Sequence, residues 1–137
     1  MMGYLPDTNI CIHYLKGDKR VPTRFGEVDP VNCFISEITE LEMLVGVAGS
    51  APDFFVSNQR EVEGLLLLLQ GRVLPCRVAF ANFAQHKVRL RRLGRMIDSF
   101  DLLIGCTALA NNQTLVTRNT RHFADLPGLR LENWVDG

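Results

Sequence analysis

The chain reads as one α/β domain, a three-layer sandwich with a central parallel sheet of four to five strands and helices on both faces. Three observations predict this. Short apolar runs alternate with longer helical patterns along all 137 residues, and strands separated by helices call for right-handed crossovers and a parallel sheet. No linker, repeat or low-complexity segment divides residues 1–137, a length suited to a single domain. A content of 47% hydrophobic and 22% charged residues is globular rather than disordered.

The elements follow in order. Gly3–Pro6 is a short apolar strand ending at Asp7. Thr8–Lys16 carries Ile10, Ile12 and Leu15 and is closed by Gly17, a helix with a glycine stop. Lys19–Glu27 is a short amphipathic piece before the Asp29-Pro30 turn, and Cys33–Ser36 is a second strand. Ile38, Leu41, Leu44 and Val45 then recur at helical spacing. That helix has two candidate caps, Ser36 with Thr39 and Thr39 with Glu42, and the second fits a capping box better. Asp53–Gln70 is a long helix ended by Gly71, Arg72–Pro75 a third strand, and Arg77–Leu93 a helix ended by Gly94. Ser99–Asn111 is so apolar that it belongs at the centre. Thr114–Thr117 is a fourth strand, Arg121–Ala124 a helical turn, and Leu129–Glu132 an edge strand.

Composition narrows the function classes. Fifteen Lys and Arg balance fifteen Asp and Glu, with a pI near 6.8, so any polyanion must be held by a local patch. No run approaches the ~18–20 apolar residues that span a bilayer. The longest, Leu65–Leu69, reads as a buried helix segment. No signal peptide pattern is visible, so the expected compartment is the cytoplasm. Cys11, Cys33, Cys76 and Cys106 are dispersed and read as small core residues. The three His and four Cys never fall at zinc-ligand spacing.

In parallel α/β folds, ligands bind at the carboxyl ends of strands. Asp7 sits at such an end, Glu42 lies early in the helix after the second strand, and Asp101 opens the central helix with Asp98 three residues before it. Carboxylates converging on one pocket repel each other, and a hard divalent cation relieves that repulsion. The absence of His and Cys from the set favours Mg²⁺, with Mn²⁺ as the other candidate. Each acid also has a structural reading. Asp7 would cap the helix from Thr8, Glu42 would complete a capping box, and Asp101 would be a first-turn charge. Asp98 suits an N-cap better than a ligand.

The same residues resemble the PIN-domain ribonucleases, specifically the VapC-type toxins of type II toxin–antitoxin systems. Leu5-Pro6-Asp7-Thr8-Asn9-Ile10 resembles their opening, and Ile35-Ser36-Glu37-Ile38-Thr39-Glu40-Leu41-Glu42 their second motif. Ile97-Asp98-Ser99-Phe100-Asp101 resembles the third and Leu115-Val116-Thr117-Arg118-Asn119 the fourth, in register over nearly the whole chain. The resemblance implies an endoribonuclease, with Asp7, Glu42 and Asp101 both catalytic and metal-binding. Thr8, Asp98, Thr117 and Asn119 would orient ligands or waters. It also implies a homodimer and a cognate VapB-type antitoxin. Asn119 stands where many relatives carry a fourth acid, so a catalytically weak RNA-binding or regulatory protein is the alternative. A phosphatase with Asp7 as nucleophile is a lesser rival, because its usual second Asp is here Asn9.

An RNA substrate needs basic surface. Arg89, Arg91, Arg92 and Arg95 lie in the run before Asp98, and Arg118 lies in the fourth motif. Lys16, Lys19, Arg20 and Arg24 form a further cluster after Asp7. Contacts of this kind hold phosphates without reading sequence.

Overall fold

The computed structural model describes residues 3–137. Its centre is five short parallel strands: β1 (Tyr4–Pro6), β2 (Ile35–Ser36), β3 (Val73–Leu74), β4 (Thr114–Val116) and β5 (Leu131–Glu132). β1, β4 and β5 pair in that order, β2 pairs with β3, and a bridge from Tyr4 to Cys33 joins the two groups. The spatial order is therefore β3-β2-β1-β4-β5. Around it run α1 (Thr8–Leu15), α2 (Arg20–Val28), α3 (Glu37–Ala48), α4 (Pro52–Leu68), α5 (Phe80–Arg92), α6 (Ser99–Ala110) and α7 (Thr120–Phe123).

Pro6 explains the thin seam between β1 and β2. Backbone N–H groups alternate sides along a strand. The Asp7 N–H donates to the Val116 carbonyl on the β4 side at 2.9 Å, so position 6 faces β2. Proline has no N–H to give there. The Phe34 N–H, donating to the Tyr4 carbonyl at 2.8 Å, crosses at the Tyr4–Cys33 bridge.

The sheet separates two cores, which makes three layers. On one face Ile10, Phe25, Met43, Val62, Leu65 and Val116 pack with Trp134. On the other, Leu5 and Leu115 pack with Leu90, Ile104, Cys106 and Phe123. Leu115 and Val116 are adjacent and face opposite cores, the period of two expected of a strand. Trp134 seals its side edge-on against Phe25, at 5.3 Å between ring centroids. All four cysteines are buried and free, as expected.

Three expectations need correction. Ser36, not Thr39, caps α3: its hydroxyl accepts the Thr39 N–H at 3.1 Å. β2 runs directly into the helix, so the residue with extended backbone is Ser36, and that is what a cap requires. The 77–93 helix begins as a tight 3₁₀ turn, Arg77–Ala79, before α5. The leucine run is not buried throughout. Leu65 and Leu69 face the core, while Leu67 is 70% and Leu68 43% exposed. A helix turning 100° per residue cannot bury five successive side chains against one partner.

Candidate active site

The switch in strand order falls between β1 and β4, whose carboxyl ends form the crevice where α/β folds place ligands. Asp7 leaves β1 at this edge and is buried. Its Oδ1 accepts the Ile10 N–H at 3.0 Å, so the structural reading of Asp7 as a helix cap holds. Burial pushes its carboxyl above the usual carboxylate range, and Glu42 adds to this. The Ile10 and Asn9 amides and the Thr117 hydroxyl pull the other way. Thr117, fully buried just past β4, also accepts the Asn119 N–H at 3.0 Å.

Glu42 is not a capping residue, because Ser36 has that role. Its Oε1 instead accepts the Thr8 hydroxyl at 2.6 Å, a short charge-assisted bond that ties α3 to the residue after Asp7. Thr39 lies on the same hydroxyl at 3.1 Å. Asp101 stands in the first turn of α6. Its neighbour Asp98 caps that helix, accepting from the Phe100 and Asp101 amides at 3.1 and 3.3 Å. Burial first, then the charges of Asp98, Asp7 and Glu42, push the Asp101 carboxyl up to about 6 against the pull of His122.

Four carboxylates from three helix starts therefore share one field. Among the described residues, none of Asp7, Glu42 and Asp101 is in an ion pair. Nor do any three His, Cys, Asp or Glu side chains among those residues form a ready-made metal cage. The donor set is all oxygen and negative, with no ion pair to offset it among the described residues, which fits a hard cation that keeps several waters and takes only one or two carboxylates directly. It does not fit a closed four-ligand zinc site.

The basic residues divide. Arg91 and Arg92 are exposed on α5. Arg89 is turned to the Asp125 carbonyl at 2.7 Å, and Arg95 is ion-paired with the Asp125 carboxylate. These two are therefore spent partly on anchoring the segment after α7. Arg118 is held by Asp136 through two bonds of 3.0 and 3.1 Å. Sequence reasoning missed His122, whose nearness to Asp101 follows only from the turn into α7. It also placed Lys16 with Lys19 and Arg20, whereas Lys16 shares a crevice with Arg118 and Asn119.

The whole chain also matches known proteins. The PIN domain model matches residues 4–129. The chain is 31% identical to the ribonuclease VapC2 of Rickettsia felis, over 97% of this chain and 98% of that one. It is 34% identical to the tRNA(fMet)-specific endonuclease VapC of Shigella flexneri, over 98% and 99%. Among solved structures, DNA-bound VapBC from Salmonella typhimurium superposes with a TM-score of 0.87 at 30% identity, covering 98% of this chain and 99% of that one. VapBC2 from Rickettsia felis, bound to a DNA fragment from their promoter, gives 0.84 at 30% identity with the same coverage.

Proposed function

Because the chain belongs to the PIN-domain family, among its VapC-type ribonucleases, we propose that it is the toxin of a toxin–antitoxin pair, a divalent-metal-dependent endoribonuclease that hydrolyses RNA phosphodiesters. One observation carries the reading: Asp7, Glu42 and Asp101 come from three separate elements, lie near enough that neighbouring carboxylates add to the upward push of burial on Asp7 and Asp101, and form no ion pair among the described residues, with His122 alone pulling Asp101 the other way. Structural carboxylates are usually paired. Asp7 and Asp101 would hold Mg²⁺ or Mn²⁺, with Glu42 on a metal or a water ligand. Such an ion, when bound, lowers the pKa of coordinated water and neutralises phosphoryl charge.

The chain's own residues orient that set. The Ile10 amide fixes one oxygen of Asp7, and the Thr8 hydroxyl fixes one oxygen of Glu42. Asp98 holds the start of α6 and so the position of Asp101. The Thr117 hydroxyl lies on the β4 side of Asp7 and helps hold its carboxyl down, and it accepts the Asn119 amide in the turn that carries Asn119. Arg91 and Arg92 supply unpaired positive charge for RNA phosphates.

Partners follow from uncovered apolar surface. A groove between α1, α3 and α4, with Ile12 and Leu15 half-buried beside Lys16, Glu42 and Glu61 over a floor of buried Met43, Val47 and Val62, suits a segment of a VapB-type antitoxin. Phe54, Phe55 and Val56 are exposed together at the start of α4, a patch suited to a second copy of the chain. Among the described residues no helix is long and apolar enough to cross a membrane.

The test is cleavage of single-stranded RNA and of a folded tRNA by purified protein. Turnover with Mg²⁺ that stops on chelation supports the reading. RNA binding without turnover at any Mg²⁺ or Mn²⁺ concentration rejects it and favours a regulatory relative.

A further inference from the structure

The crevice at the β1–β4 switch point lies beside the acids rather than among them. It encloses about 480 Å³ and is lined by Asn9, His13, Lys16, Arg118, Asn119 and Asp136. Two chain segments about a hundred residues apart build most of it, and Asp136 near the carboxyl end closes it. α1 and the residue that closes it present Asn9, His13 and Lys16 at spacings of four and three, one face of a helix. The turn after β4 presents Arg118 and Asn119. It adjoins the acid set at both ends: Asn9 is two residues from Asp7, and the Asn119 amide donates to Thr117, whose hydroxyl helps hold the Asp7 carboxyl down.

Its chemistry is that of an anion site. Lys16 is exposed and takes part in no ion pair among the described residues. Arg118 gives Nε and Nη2 to the two oxygens of Asp136. A guanidinium has five N–H donors, so three remain for a second anion. The fork is held in orientation by its existing partner, which is how arginine recognises phosphate with little further ordering. Asn9 and Asn119 add uncharged amide donors. The one carboxylate in the crevice, Asp136, is exposed and stands next to the last residue, held by Arg118 and Asn133.

We propose that this crevice is a backbone-phosphate subsite for RNA flanking the scissile position, with Lys16 and Arg118 as its cationic contacts and Asp136 as a built-in competitor that lowers its affinity. This deepens the ribonuclease reading and rests on it for the identity of the polyanion. Asp136 holds Arg118 ready in the free protein and repels a phosphate entering beside it. The two effects oppose each other. Removing the charge while keeping the shape, as in Asp136→Asn, leaves the repulsion absent and part of the hydrogen bonding intact.

The experiment measures fluorescence anisotropy of a labelled single-stranded oligoribonucleotide across a salt series. An Asp7→Asn background prevents turnover, and cleavage by the Asp7-containing protein is assayed in parallel. Lys16→Gln and Arg118→Gln are expected to raise Kd roughly threefold to tenfold and to reduce the salt slope by about 0.7 each, the value for one single-strand phosphate contact. Asp136→Asn is expected to lower Kd. Arg60→Gln, an equal charge change at an exposed site on α4, is expected to leave the slope unchanged. If Lys16→Gln and Arg118→Gln match Arg60→Gln while the parent protein still cleaves RNA, the subsite is overturned and the nuclease reading stands. If Asp136→Asn weakens binding, its role as competitor is overturned. If the parent does not cleave but the binding pattern appears, the nuclease reading falls and the phosphate site remains.

Discussion

The Thr8 hydroxyl donates to Glu42 Oε1 at 2.6 Å, joining the residue after the first strand's acid to the acid of the third helix. Neither residue has a local reason for this bond, since Thr8 lies in α1 and Glu42 lies beyond the cap of α3. Thr8→Val keeps the shape and removes the donor. It is expected to cost roughly 10–100-fold in RNA cleavage or in the Mg²⁺ concentration needed for it, the usual effect of losing a residue that orients a ligand. Thr8→Ser should restore most of the loss. A Mg²⁺ titration of cleavage rate, with circular dichroism as the fold control, checks both.

Burial of Asp101, with the neighbouring carboxylates adding to it, should appear as a pH-dependent stability. The Asp101 carboxyl rises from 3.8 to about 6 on folding, so the folded state prefers the neutral acid. The stability it contributes is full below about pH 4 and is lost as pH rises through about 6. Asp101→Asn removes the group. In chelator, its melting temperature should be close to that of the parent at about pH 4 and higher at about pH 8, with a gain on the order of 1 kcal/mol after solvent screening. A gap that shrinks as pH rises would show that the acid is stabilised by folding.

Gly105 lies where an added Cβ would crowd two core side chains. A Cβ there would meet Phe123 at 3.0 Å and Leu126 at 3.1 Å, both nearly fully buried. Gly105→Ala should destabilise by about 1–3 kcal/mol, the range for overpacking, despite alanine's better helix propensity. Urea denaturation at a fixed pH measures it.

The leucine run gives a paired prediction. Leu65→Ala should cost about 2–5 kcal/mol and Leu67→Ala less than about 0.5 kcal/mol in monomer stability, because one side chain fills the core and the other is exposed. Thermal melts of the two variants at low protein concentration separate them.

The order and approximate limits of the strands were legible because each short apolar run ends in a turn signal or a polar residue. The places of Asp7 at a strand end, Glu42 within α3 and Asp101 in the first turn of α6 were legible because strand ends and helices can be placed from pattern alone. The cap of α3 was not. Ser36 and Thr39 both suit an N-cap, and only the immediate passage from β2 to helix decides between them. The pairing of Arg95 with Asp125 and of Arg118 with Asp136 was hidden because it spans 30 and 18 residues. The crevice that joins Lys16 to Arg118 was hidden for the same reason: β1 and β4 become neighbours only when the sheet forms.

Direct metal binding tests the central claim. Titration of the chelator-treated protein with Mn²⁺, read by electron paramagnetic resonance as loss of the free-ion signal, should show saturable binding. Asp7→Asn and Asp101→Asn should each weaken it severely, and the chelator-treated parent should regain RNA cleavage as the ion is added. A parent protein that leaves the Mn²⁺ signal unchanged, or variants that bind as the parent does, would contradict the assignment of these acids to a shared cation.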